Sequence, residues 1–445
     1  MKSLSSLSRR KFVTVSAVAT VASLMPDQVT GNSGTSSTNE KLNVAGIGIG
    51  GMGAGDLRAI MSENVVALCD VDQRTLQRNA QHFPKAKLYT DYRKLLETEK
   101  DVNAVMVATP DHTHTVISIM AMKMGKHVHC QKPLTHSVYE ARMMAKVAKE
   151  MKVATQMGNQ GQASETARLI CETIWSGAIG AVREVHAGSN RYPPISTRGI
   201  RRPQDAPPVP RELDWNLWLG PAPERPYHPT YHPFAWRSWW DFGTAVLGDV
   251  GCHQFSAVFK ALKLGHPAWV EGSSSNHEMP PEVAQDATPL SSITRWFFPA
   301  EGDRGPITIT WWDGGLKPPR PEELEPERKF GEGDWLLIVG DKGKMYDHRI
   351  IPEARAKEVG APPQVLPRSP GHYVEWIQAC KGLTPAGSNF VDHAAHLTEV
   401  VLLGNIATRT HEKLIWDGPN LRFTNSESAN RLINPSYRSG WTLDV

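Results

Sequence analysis

A chain of 445 residues, 40 % of them apolar, is long enough for two packed domains. Its net charge of +3, with no basic stripe, argues against a nucleic-acid partner. The five cysteines (Cys69, Cys130, Cys171, Cys252, Cys380) are scattered and form no C-x-x-C pair, which argues against a disulfide scaffold and against a metal site.

The N-terminus reads as an address. Ser8-Arg9-Arg10-Lys11-Phe12-Val13 precedes a moderately apolar run to Met25 that is too short to span a bilayer. Paired arginines before such a run predict a twin-arginine signal and export in folded form to the periplasm. Residues 31–39 are a polar Gly/Ser/Thr linker, and no clear A-x-A cleavage site follows the run. Free cysteines fit folding in a reducing compartment before export. Free dinucleotide is scarce outside the cytoplasm, so an exported nucleotide enzyme is expected to hold its cofactor tightly.

Residues 43–49 are an apolar run. Gly48-Ile49-Gly50-Gly51-Met52-Gly53 then opens a helical pattern through Met61. G-x-G-x-x-G between a strand and a helix lets backbone N–H groups approach a pyrophosphate at a helix N-terminus. The next strand, 65–69, ends at Asp70. An acid there accepts from a ribose diol and repels a 2′-phosphate, which favours NAD over NADP. Asp70 also reads as a helix N-cap, and Arg74 one turn on favours the 2′-phosphate instead.

A helical pattern follows at 91–97 and a strand at 104–108. The strand runs into Thr109-Pro110-Asp111-His112-Thr113-His114. After a helix at 115–124 comes the buried strand 127–130, which ends in Gln131-Lys132-Pro133. Lys132 therefore stands at the carboxyl end of a parallel sheet, where open α/β sheets bind ligands. Thr109, Pro110, Gln131 and Lys132 are expected along the cofactor. His114 lies beneath it, either as part of the site or as a capping and packing side chain. A helix at 137–149 and a strand at 153–157 complete the pattern, and Asn159 at that strand's end is a candidate contact to the carboxamide or the substrate. Alternating strands and helices predict a doubly wound parallel sheet, a Rossmann domain over 41–160.

The order G-x-G-x-x-G, acid, T-P-x-x-x-H, G-K-H-V-x-x-x-K-P resembles the Gfo/Idh/MocA oxidoreductase family, and the resemblance extends over nearly all of 41–445. It implies a catalytic lysine at Lys132 and a sugar or polyol substrate. Family members usually carry Glu-Lys-Pro; here the acid is replaced by the neutral Gln131.

The second domain, 161–445, begins with a helix at 165–175 and a strand at 182–186. An irregular stretch crowded with Pro, Arg and aromatics follows at 191–233; so long a stretch without periodicity reads as functional. Five tryptophans fall between Trp215 and Trp240, placed either to line a sugar site or to pack a core. Trp236, Trp240 and Arg237 are candidates to stack on and grip a sugar ring. A helix is expected from Gly248 through Leu262, with Asp249 and His253 on one face. The spacing fits an acid–base pair for a sugar hydroxyl, or an N-cap with a packing histidine. The resemblance implies the former: His253 as acid/base and Asp249 orienting the substrate.

Strands at 269–272, 291–298, 307–312 and 335–340 predict an α/β domain with a large open, mainly antiparallel sheet. The resemblance implies that its face pairs copies into a homo-oligomer. Residues 317–329 read as a surface loop, and helices at 373–381 and 393–411 close the domain. At the C-terminus, Tyr437 and Arg438 are candidates to reach the substrate, or part of a structural tail.

The expected function is NAD-dependent oxidation of an alcohol carbon on a sugar, glycoside or polyol. One alternative is a glycoside-cleaving enzyme that retains its NAD through C3 oxidation, elimination, hydration and re-reduction. A second is a sugar-binding protein with a vestigial nucleotide site.

Overall fold

The computed structural model describes residues 40–190 and 198–443. The twin-arginine stretch, its linker and residues 191–197 of the irregular segment lie outside the described residues.

The first layer is a six-stranded, all-parallel sheet in the order β3-β2-β1-β4-β5-β6. Its strands are β1 (Asn43–Ile47), β2 (Asn64–Cys69), β3 (Lys87–Tyr89), β4 (Ala104–Val107), β5 (His127–Cys130) and β6 (Thr155–Met157). Helices α1 (Gly51–Ala59), α2 (Gln73–Ala80), α3 (Tyr92–Thr98), α4 (His114–Lys123) and α5 (Val138–Met151) connect them. The expected doubly wound arrangement is present. Every residue of β4 is buried, as the continuous apolar run Ala104-Val105-Met106-Val107 requires of a strand covered on both faces. Strand order reverses between β1 and β4, so the crevice for a ligand opens where the loops after these strands diverge. Helix α5 starts at a capping box, Ser137 with Glu140, that satisfies backbone N–H groups at its first turn.

The second layer is a nine-stranded sheet in the order β13-β12-β11-β7-β10-β9-β8-β14-β15. Its strands are β7 (Val182–Ser189), β8 (Trp269–Ser274), β9 (Ser292–Phe298), β10 (Ile307–Asp313), β11 (Asp334–Gly340), β12 (Lys344–Tyr346), β13 (Arg349–Ile351), β14 (Lys413–Asp417) and β15 (Arg422–Phe423). Only β7 and β10 pair parallel; every other ladder is antiparallel. In β9, buried and more exposed residues alternate, because one face packs on helices and the other does not.

Helices α6 (Glu165–Trp175), α7 (Trp215–Leu219), α8 (Ala245–Gln254), α9 (Ser256–Leu262), α10 (Pro281–Asp286), α11 (Glu353–Val359), α12 (His372–Cys380), α13 (Ala395–Thr410) and α14 (Glu427–Ile433) accompany this sheet. The single helix expected over 248–262 is two: α8 begins three residues earlier, at Ala245, and Phe255 separates it from α9. Helix α12 returns to the first layer, where Trp376, Ile377 and Cys380 pack with Leu42, Val44 and Met106.

Candidate active site

A cleft of about 1180 Å³ opens along the carboxyl edge of the parallel sheet. Gly48, Gly50, Gly51 and Met52 line its floor. Helix α1 starts there, with Gly50 at its N-cap. Gly48 has φ +74°. A Cβ on Gly53 would stand 2.0 Å from the Gly48 carbonyl oxygen, so only glycine lets the helix begin this close to the turn. The first turn of α1 thus stands at the cleft floor, where a Cβ on Gly51 would meet nothing within 4 Å, a cradle that fits a dinucleotide pyrophosphate. Asp70 lines the same cleft, its carboxylate accepting from the N–H groups of Ile49 and Asp72, both at 3.0 Å. Burial raises its pKa to about 6 against these hydrogen bonds. Asp70 therefore anchors the glycine turn. The N-cap of α2 is Asp72. Arg74 lies along the cleft with its fork on Asp72, at 2.9 and 2.7 Å.

Strand β5 delivers Lys132 to the cleft. Its Nζ donates to Asp249 Oδ1 at 2.5 Å and to the Asp249 carbonyl oxygen at 2.9 Å. Arg237 Nε lies 3.6 Å from the same carboxylate oxygen. Burial would raise the Asp249 pKa, but Lys132 and Arg237 outweigh it and hold the group at about 2. His253, one turn along α8, lines the same cleft. Lys132 after β5 and the Asp249–His253 pair on α8 therefore line one cleft, as the resemblance implied.

Gln131 lines the cleft too, with its amide turned to helix α1. Its Nε2 donates to Asp56 Oδ2 at 2.8 Å, and the Tyr373 hydroxyl donates to Asp56 Oδ1 at 2.6 Å. Asp56 is fully buried, and burial raises its pKa despite these two donors. A Cβ on Gly158 would overlap the Gln131 amide at 2.6–2.7 Å, so Gly158 makes the room that Gln131 occupies.

Thr109 and Pro110 line the cleft as expected. His114 does not; it is buried, with Nδ1 2.9 Å from the Pro133 carbonyl oxygen and Nε2 2.8 Å from that of Thr109. The packing reading holds for it: the ring ties the loop after β4 to the loop after β5. Burial disfavours its cation, but the Cys130 thiol and the two carbonyls prevail and raise its pKa. Asn159 is also buried outside the cleft, where its Nδ2 donates to Ser256 Oγ at 3.2 Å. It joins β6 to α9 and makes no wall for a ligand.

Of the aromatic candidates, Trp236 lines the cleft and carries the Arg237 guanidinium 4.1 Å above its ring. Trp240 does not reach the cleft. Its backbone N–H donates to the Asp286 carbonyl oxygen at 2.9 Å, and its ring lies under Arg409, beside a second, smaller cavity. Tyr437 lines that same second cavity, because its hydroxyl is bonded to Glu140 in the α5 capping box. Arg438 docks on Asn216 and Glu224, each at 2.8 Å. The tail does reach the cleft, through Trp441.

Two cleft groups escaped the sequence argument. Trp218 forms part of the wall, stacked on Trp215 with ring centroids 4.5 Å apart. Asp111 is buried at the cleft edge and accepts from Thr244 Oγ1 at 2.7 Å; burial raises its pKa to about 6, with Thr244 and Arg237 opposing. Its position directly after the strand-ending Thr109-Pro110 was the available signal.

Two family models match the chain. One, described as an oxidoreductase family with an NAD-binding Rossmann fold, matches residues 42–159. The other, the oxidoreductase family's C-terminal alpha/beta domain, matches 199–273 and 324–443. The chain belongs to the Gfo/Idh/MocA oxidoreductase family.

Among curated Gfo/Idh/MocA relatives, inositol 2-dehydrogenase of Burkholderia multivorans is 31 % identical over 186 residues, covering 40 % of this chain and 54 % of the relative. Myo-inositol 2-dehydrogenase of Thermotoga maritima is 28 % identical over 141 residues, 32 % of this chain and 42 % of the relative. Levoglucosan dehydrogenase of Pseudarthrobacter phenanthrenivorans is 29 % identical over 103 residues, 23 % of this chain and 26 % of the relative. The chain thus spans about half the length of these relatives or less.

Solved Gfo/Idh/MocA-like structures share the fold over a wider extent. The WlbA dehydrogenase from Bordetella pertussis, in complex with NADH and UDP-GlcNAcA, superposes with a TM-score of 0.59 at 16 % identity, over 85 % of this chain and 99 % of that one. An inositol dehydrogenase homolog from Azotobacter vinelandii, complexed with NADH and myo-inositol, gives 0.56 at 16 % identity, over 86 % and 100 %.

Proposed function

We propose that this protein is a nicotinamide-dependent oxidoreductase acting on an alcohol carbon of a sugar, glycoside or polyol. The observation that carries the reading is the Lys132–Asp249 contact of 2.5 Å in the cleft floored by Gly48, Gly50, Gly51 and Met52, with His253 one turn further along the helix that carries Asp249. The cradle at α1 fits the pyrophosphate of a dinucleotide, which when bound supplies a two-electron acceptor for the substrate C–H bond.

The chain's own residues supply the rest. His253 takes the hydroxyl proton as the C–H bond breaks and the carbonyl forms. The Lys132 ammonium lies beside the oxygen and gains most as negative charge develops there, so it favours the transition state over the bound alcohol. Asp249 holds Lys132 in place and accepts from a second substrate hydroxyl. Arg237, fixed over Trp236, closes that side of the site.

NAD is the preferred cofactor in this reading. Asp70 is ready to meet a ribose diol, and Arg74, the natural partner for a 2′-phosphate, is already committed to Asp72. The named substrates of the curated relatives, inositol and levoglucosan, set the first panel to try. Export by the Ser8–Val13 signal would deliver the folded protein with its nucleotide in place. The face of the large sheet that leaves Ile293, Phe297 and Trp312 half-exposed is the proposed surface for pairing copies of the chain.

The experiment is mass spectrometry of the purified protein for bound dinucleotide, followed by a carbohydrate panel on the same sample. Recovery of NAD and formation of an oxidised sugar supports the reading. Absence of dinucleotide binding, or no product from any carbohydrate, contradicts it. Release of an aglycone without net reduced nicotinamide would assign the glycoside-cleaving variant of the same chemistry.

A further inference from the structure

In a doubly wound sheet of this strand order, the adenosine half of a dinucleotide lies over β1, β2 and β3, and the nicotinamide half over β4, β5 and β6. The loops after β2 and β3 bring Val71, Thr90 and Tyr92 into the cleft wall at the adenosine end. Two stretches remote in sequence meet there. Residues 212–214 run beside the loop after β2: the Asp214 N–H donates to the Val71 carbonyl oxygen, and the Gln73 N–H to that of Glu212, both at 2.9 Å. Helix α7 follows and places Trp218 in the wall. The C-terminal tail then crosses from this segment to the first domain. Beyond α14 its described residues form neither helix nor strand, so side chains must hold it. Arg438 pins one end, donating to Asn216 Oδ1 and Glu224 at 2.8 Å each, and to the carbonyl oxygens of Asn216 and Gly220 at 2.9 and 3.1 Å. Lys123 of α4 pins the other, donating to the Leu443 carbonyl oxygen at 3.0 Å. Between the pins, Trp441 enters the cleft wall.

We propose that Trp441 is the surface on which the adenine of the dinucleotide stacks, and that Arg438 is the residue that positions it. The indole is oriented by its neighbours. The Tyr92 ring centroid is 6.5 Å from it, and the Arg93 guanidinium, forked on Asp91 at 3.0 and 2.8 Å, lies 5.1 Å from its own centroid. Gly220, which accepts from Arg438, has φ +52°, and a Cβ there would stand 2.8 Å from Thr113 Cγ2. The turn under the tail therefore packs directly on the N-cap residue of α4. An indole presents a purine with a broad π-face and asks for no matching hydrogen bond. Because the tail is held by a few side-chain contacts only, it opens more easily than the sheet beneath it, so release of the nucleotide goes with release of the tail. This role deepens the dinucleotide reading of the cleft and rests on it.

The test is calorimetric titration of the full-length protein, freed of bound nucleotide with charcoal, with NAD and with ADP-ribose as probes. Wild type is expected to bind both saturably, one per chain. W441L keeps an apolar contact for the tail but removes the π-face, and should weaken both probes about ten-fold. W441F keeps a π-face and should retain most of the affinity. R438M should weaken both probes as W441L does, and W441L/R438M no further than W441L alone, because Arg438 acts through Trp441. Wild-type affinity in W441L, or equal losses in W441F and W441L, overturns the stacking role. Losses that add in the double variant overturn the positioning role of Arg438. If W441L does not fold, R438M decides: unchanged affinity for ADP-ribose overturns the proposal, and weakened affinity supports it. Wild type that binds neither probe contradicts the dinucleotide reading itself and this role with it; wild type that binds both, with no loss in W441L, contradicts this role alone.

Discussion

Gln131 Nε2 donates to Asp56 Oδ2 at 2.8 Å, so the carboxylate nearest the lysine's strand neighbour is carried by helix α1. An acid at 131 would meet Asp56 at the same distance, and two buried carboxylates cannot both ionise that close together. The amide at 131 and the acid at 56 therefore form one unit, with Tyr373 closing its other side. The residue beside the lysine thus still meets a buried acid, displaced by one side chain onto helix α1.

Replacing Gln131 by Glu should accordingly destabilise the fold by about 1–3 kcal/mol, and the double change Q131E/D56N should recover most of that loss. Asp56 already has a raised pKa, from burial first, and a second acid raises it further. A group with a raised folded pKa loses stabilising weight as pH rises, so the penalty of Q131E should grow with pH. Urea unfolding of wild type, both single variants and the double variant measures the coupling. Equal stability of Q131E and wild type would sink the paired reading.

Two glycines of α1, two residues apart, should respond in opposite directions. A Cβ at Gly53 collides with the Gly48 backbone, whereas one at Gly55 meets nothing within 4 Å. G53A should lose dinucleotide affinity and thermal stability together. G55A, inside the same helix, should gain about 0.5–1 kcal/mol. Thermal unfolding with and without NAD separates them, and a benign G53A would contradict the cradle.

Asp111 gives a pH signature. Its folded pKa, about 6, lies above the ordinary 3.8, so the folded state binds its proton more tightly than the unfolded chain. Its contribution to stability is complete below about pH 4 and is lost as pH rises through about 6. D111N lacks that loss and should exceed wild type by up to about 3 kcal/mol at neutral pH, with little difference near pH 4. Asp249 runs the other way: held at about 2, it stabilises above the ordinary carboxyl range and loses that effect as pH falls from about 4 to 2. Denaturation curves across this range check both slopes; a D111N advantage that shrinks toward neutral pH would refute the assignment.

Much of this arrangement could be read from the residues in order. The glycine turn, the strand-end position of Lys132 and the one-face spacing of Asp249 and His253 are local patterns with one geometric outcome. Strand β3 was not legible, because Lys87-Leu88-Tyr89 is short, at the sheet edge and largely exposed. Helix α2 was missed for a related reason: Gln73–Ala80 buries only Leu76 and Asn79 and shows no apolar stripe. The Gln131–Asp56 pair joins residues 75 apart and has no periodic trace. Trp240 and Tyr437 were misplaced because a tryptophan-rich stretch and a returning tail do not say which of two neighbouring cavities each ring will face. The tertiary contacts decided it: Asp286 and Arg409 for Trp240, and Glu140 for Tyr437.

The central claim is that Lys132, held by Asp249, assists loss of hydrogen from an alcohol carbon to a nicotinamide. The most direct measurement is single-turnover absorbance of reduced nicotinamide, recorded after mixing NAD-loaded protein with inositol, levoglucosan or simple glycosides. Wild type should form reduced nicotinamide with at least one of them. K132M should retain the nucleotide and form it at least about 100-fold more slowly. No reduced nicotinamide with any carbohydrate, or a wild-type rate in K132M, would contradict the account.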